Sequence, residues 1–134
     1  MSHSDHRQAR RAGEDEAAGA ELKLGEFTND GCLVISEVRI LLAKRERSAD
    51  NSVYKKTVEY VNSFARFQTE DACTAVRKTL QKDSSLRQFE VAQLANLCPG
   101  DVDEAKSLIP SLAARDDDAL QVQLNELAAL RRFQ

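Results

Sequence analysis

From Ser36 to the last residue, apolar side chains recur at intervals of three and four. That is the period of an α-helix with one buried face, and it leaves little of the chain for a sheet. The pattern is fullest in "SVYKKTVEYVNSFARF" at 52–67, where Tyr54, Thr57, Val58, Val61, Phe64 and Ala65 mark an inward face. Thr69 can cap a following helix that turns Ala72, Cys73, Val76 and Leu80 inward. Residues 86–98 form another, with Leu86, Phe89, Leu94 and Leu97 as its knobs and Pro99-Gly100 as its stop. Asp101 followed by Glu104 has the spacing of a capping box and opens a short helix that Pro110 ends. Asp116, Asp117 and Asp118 stand where a helix start favours negative charge, and Arg131-Arg132 stand where its end favours positive charge. Between them Leu120, Leu124 and Leu127 face inward, with Val122 and Phe133 on the opposite side.

The first helix, "SEVRILLAKRERS" at 36–48, reads as Ser-capped. Val38, Leu41 and Leu42 make its stripe. At 100° per residue Ile40 falls about 150° from the centre of that stripe, which points to burial on two sides. One stretch does not fit the helical period. "LKLGEF" at 22–27 alternates apolar and polar like a strand and then breaks at glycine. A lone strand has unpaired backbone groups and no sheet of its own, so it needs a surface to lie on. Residues 1–20 mix Arg, Glu, Asp, Ala and Gly without periodicity and read as a mobile tail.

Composition narrows the functions open to such a chain. Its 134 residues suit one domain, and the formal net charge of -3 argues against a protein held to nucleic acid by bulk charge. The basic pieces "RQARR" and "KRER" are short and lack stacking aromatics. No apolar run approaches the roughly 20 residues of a membrane helix. Cys32, Cys73 and Cys98 are far apart and odd in number, with no C-x-x-C pair, so they read as small hydrophobes in a reducing compartment. Both histidines, His3 and His6, lie in the tail, which removes the usual general base. Neither phosphate-binding glycine motif is present. The three consecutive aspartates cannot share a helix face, so they read as capping charge and not as a metal site. No catalytic set, cofactor site, metal site or small-molecule substrate is expected. The residues alone point to a helical interaction module with an orphan strand.

Six stretches resemble one family, in that family's order: "LKLGEF", "SEVRILL", "KKTVEYVNSFARF", "FEVAQLANLCP", "EAKSLIPSL" and "LRRFQ". Together they cover about residues 20–134 and are similar to the fourth subunit of eukaryotic RNA polymerase II, which has a relative in the archaeal polymerase. The connection "RSADNS" between the first two helices is shorter than in many relatives.

The resemblance implies a mostly α fold: an HRDC-like helical bundle over 36–134, preceded by an extended or strand segment at 21–35 that packs on a partner chain. It implies a non-catalytic stalk subunit in the nucleus, with room for a cytoplasmic fraction. The implied partner is the seventh RNA polymerase II subunit, an OB-fold protein. The pair would sit by the clamp and the RNA exit channel, support initiation, and meet nascent RNA mainly through the partner. Under this reading Leu22, Lys23, Leu24, Phe27, Val38, Ile40, Leu41 and Leu42 form the interface, and the orphan strand finds its surface by β-augmentation. Two alternatives stand beside it. One is the equivalent stalk subunit of another nuclear polymerase; the other is a free-standing HRDC-like module that binds single-stranded nucleic acid.

Overall fold

The computed structural model describes residues 22–45 and 51–134. The tail at 1–20, its two histidines and most of the "RSADNS" connection lie outside the described residues. Six α-helices are present among the described residues: α1 (Ile35–Lys44), α2 (Ser52–Phe64), α3 (Glu70–Gln81), α4 (Gln88–Leu97), α5 (Val102–Leu108) and α6 (Asp117–Arg132). Short 3-10 turns occupy Gly25–Phe27 and Pro110–Leu112. The mostly helical class read from the periodicity is the class observed.

The expected strand at 22–27 is absent. Leu22 to Leu24 have no regular structure, and Gly25–Phe27 is a 3-10 turn entered through Gly25 at φ +59°. Glycine reaches that conformation at little cost, and no second strand among the described residues offers a ladder to pull the backbone straight. Thr28 closes the turn, its hydroxyl donating to the Gly25 carbonyl at 2.6 Å.

Helix starts follow local chemistry. Asn51 accepts from the Tyr54 amide, Thr69 from the Ala72 amide and Asp101 from the Glu104 amide. Each satisfies one of the orphan donors at a helix N-terminus. Ser36 is not a cap. Helix α1 begins one residue earlier, and its N-terminal amides are taken by other groups. Val34 N–H donates to Glu37 Oε1 at 2.8 Å, and Ile35 N–H to Asn96 Oδ1 of α4 at 2.8 Å. Ser36 is buried instead, and its hydroxyl accepts from the Phe67 amide at 3.0 Å. Helix α4 ends at Cys98, which takes the left-handed conformation (φ +45°) just before Pro99.

Helix α3 is the hub and packs on α1, α4 and α6. Its inward residues Ala72, Cys73, Val76 and Leu80 are all buried, as their spacing predicts. Leu94 of α4, Leu112, and Leu120, Leu124 and Leu127 of α6 fill the same core with Phe67. Helix α2 stands apart, with α1 as its main neighbour. That placement corrects several expectations. Thr57 and Phe64 are exposed, because α2 has only one helix to cover it, and only Val61 and the following Ala65 are buried. The helix also stops at Phe64, which lets Phe67 turn into the core from the following loop. In α4 the expected knob Leu97 is exposed at its edge, and Val91 and Ala95 take the inner positions.

Candidate partner interface

The arm before α1 is tied to the bundle at one hub. Arg77 of α3 donates through Nε to Glu37 Oε2 at 2.8 Å, pairs through Nη2 with Glu37 Oε1, and donates to the Cys32 carbonyl at 2.8 Å. Burial works against the Glu37 carboxylate, but the Arg77 hydrogen bonds, the Val34 amide and the Arg77 charge outweigh it and hold its pKa below the ordinary value. Hydrogen bonding to Glu37 likewise raises Arg77, against the opposing effect of burial. Burial, reinforced by the Glu37 charge, pushes the Cys73 thiol up, so it stays protonated and packs as a hydrophobe.

Beyond this anchor several large apolar side chains are left uncovered. Of the eleven large hydrophobics left exposed among the described residues, seven precede Ala65: Leu22, Phe27, Leu33, Leu41, Val53, Tyr60 and Phe64. Of the residues singled out from the sequence, Phe27 and Leu41 are more than half exposed, Leu22 and Lys23 are exposed, and Leu24 is half-buried. Val38, Ile40 and Leu42 are half-buried. The expected stripe of Val38, Leu41 and Leu42 is thus split. Ile40 packs on the chain's own core, while Leu41 faces out. The two-sided burial of α1 is real, and both sides are lined from within the chain. Ile40 and Leu41 join Leu33 and Cys73 in a groove of ≈ 250 Å³ between α1 and α3. Leu42 lies in a second groove with Tyr54, Val58 and Val61 of α2. The Tyr54 hydroxyl donates to the Leu42 carbonyl at 3.2 Å and fixes the α1–α2 hairpin.

Sequence reasoning missed Leu33, Val53 and Tyr60, and it placed Phe64 inside. The signal was there. Val53, Tyr60 and Phe64 are spaced seven and four apart, so they fall within about 40° of one another on α2. The buried face marked by Val61 and Ala65 lies about 100° away. The Tyr60 and Phe64 rings pack together with centroids 4.7 Å apart. No group of three or more His, Cys, Asp or Glu side chains is placed to hold a metal among the described residues, and no described helix is long and apolar enough to cross a membrane.

The described residues thus form a helical bundle with an anchored arm and uncovered apolar side chains on the α1–α2 hairpin. The family model for "RNA polymerase Rpb4" matches residues 32–131. The "DNA-directed RNA polymerase II subunit rpb4" of Schizosaccharomyces pombe is 46% identical over 130 residues, covering 89% of this chain and 95% of that protein. The "DNA-directed RNA polymerase II subunit 4" of Arabidopsis thaliana is 37% identical over 138 residues, covering 92% and 99%. The corresponding Dictyostelium discoideum protein is 49% identical over 80 residues, 60% of this chain and 51% of its own. The chain belongs to the RNA polymerase Rpb4 family.

Proposed function

We propose that this protein is a non-catalytic subunit of nuclear DNA-directed RNA polymerase II. It pairs with the OB-fold seventh subunit in the stalk beside the clamp and the RNA exit channel. In that position it supports initiation and the handling of nascent RNA, which is met mainly through the partner. The observation that carries the pairing is the concentration of uncovered apolar side chains on the arm and the α1–α2 hairpin. A stable interface hides roughly 1,200–2,000 Å² and is built around such aromatic and aliphatic anchors. The Arg77 anchor holds the arm at Cys32 and leaves Leu22 to Phe27 to meet a second chain. Affinity purification of the tagged chain from nuclei tests the assignment. Recovery with the seventh subunit and the largest subunit of polymerase II is expected. Recovery with the largest subunit of a different nuclear polymerase, or with no polymerase, would overturn it.

A further inference from the structure

One guanidinium fixes the point at which the arm leaves the bundle. Arg77 projects from α3, and its Nε and Nη2 grip the Glu37 carboxylate on the first turn of α1. The same Nη2 donates to the Cys32 carbonyl at 2.8 Å. Glu37 in turn accepts from the Val34 amide at 2.8 Å. A planar fork can hold a carboxylate and a carbonyl at once in fixed directions; the point charge of a lysine cannot. The Arg77 and Glu37 side chains are each only 21% exposed, so salt screens the pair weakly.

Among the described residues, the hydrogen bonds of 22–31 run only within the arm. The Phe27 amide donates to the Leu24 carbonyl, Thr28 to Gly25 and the Asp30 amide to the Phe27 carbonyl. Of these residues only Leu24 is half-buried, and Val34 is the first buried one. Phe27 is 59% exposed. The arm is therefore a short strap of apolar side chains whose last hydrogen bond to the bundle is the one from Arg77 to Cys32. Without that bond Cys32 and Leu33 would join the residues that a partner must order. Ordering each further residue costs about tenfold in affinity.

We propose that Arg77 is a positioning residue for partner binding: it sets the affinity of the heterodimer through the arm, by fixing where the arm departs, and not through a contact of its own. This rests on the pairing with the seventh subunit proposed above. An Arg77 that served the fold alone would change the stability of the chain and leave the affinity of the folded protein untouched.

The test is a double-mutant cycle, read by calorimetric titration of the full-length chain with the seventh subunit. R77K keeps the charge and loses the fork, and it should weaken binding about tenfold. L22A/F27A removes two exposed side chains of the arm and should weaken binding as well. In that background R77K should cost no more than about twofold, because a strap without anchors gains nothing from being held in place. R115K alters the ion pair with Asp83 and no contact of the arm, and it should bind like the wild type. Should R77K unfold at the titration temperature, E37D, which shortens the carboxylate that the fork grips, takes its place in the same cycle with the same expectations. Wild-type affinity in R77K, or an equal loss with and without the arm side chains, would overturn the positioning role and leave the pairing intact. A wild-type chain that does not bind the seventh subunit would remove the pairing and this inference with it.

Discussion

Ser36 shows how one hydroxyl can join two parts of a core. Its position before an apolar stripe suits a cap, but α4 and Glu37 already satisfy the start of α1. The hydroxyl is therefore free to accept from the Phe67 amide, a loop donor buried away from water. Ser36→Ala should leave that amide unpaired at a cost of about 1–3 kcal/mol, read by urea denaturation. The same experiment separates two aromatic residues three apart. Phe67 is fully buried, so Phe67→Ala should cost about 3–5 kcal/mol. Phe64 is half exposed, so Phe64→Ala should cost the free chain far less and show its effect as weaker binding of the seventh subunit. Equal destabilisation by both substitutions would contradict the burial of Phe67 and the exposure of Phe64.

At the scale of elements, the connections are held by charge. Asp83, after α3, accepts from the Ser85 amide at 3.0 Å, pairs with Arg115 before α6 and accepts from Gln123 Nε2 at 3.2 Å. The Ser85 hydroxyl bond, against partial burial and with help from the Ser85 amide and Arg115, lowers its pKa to about 2. The unfolded chain therefore takes up this proton first as the pH falls. The contribution of Asp83 is complete above about pH 4 and is lost as the pH drops towards 2. Glu37 behaves in the same direction, its stabilisation lost on acidification through its lowered folded value. Asp83→Asn should be less stable than wild type at pH 6, and the gap should narrow by pH 3; a constant gap would show that the carboxylate charge is irrelevant. The arm obeys different rules, because Leu24 sits in a segment with little local structure. In the proposed pairing, Leu24→Asp would bury a charge and Leu24→Pro would remove a backbone donor. Both should weaken the heterodimer more than Lys23→Leu does, as read by calorimetric titration. Equal affinities across the three would remove the arm from the interface.

For the whole molecule, legibility tracked how many neighbours an element has. Helix α3 is surrounded, and all four of its inward residues were readable from spacing alone. The stripe of Leu120, Leu124 and Leu127 on α6 was equally clear. Helix α2 has one principal neighbour, so its buried face is narrow and a second apolar stripe remains outside, which periodicity alone does not sort from core. The alternation of "LKLGEF" reads as a strand, but Gly25 at φ +59° turns the backbone into a 3-10 turn and no second strand among the described residues pairs with it. The join between the end of α6 and the loop after α2 was not visible either, because it depends on Gln134 side-chain bonds spanning 66 and 68 positions.

In the proposed pairing, the arm and the α1–α2 hairpin form the face taken by the seventh subunit. Amide hydrogen exchange on the chain, free and mixed with that subunit, tests this most directly. Short interaction arms and single-neighbour helices open at low free energy, so the arm at 22–31 and α2 should exchange fast in the free chain and slow on addition of the partner, while α3 and α6 change little. Full protection of the arm already in the free chain, or new protection confined to α3 and α6, would contradict the pairing.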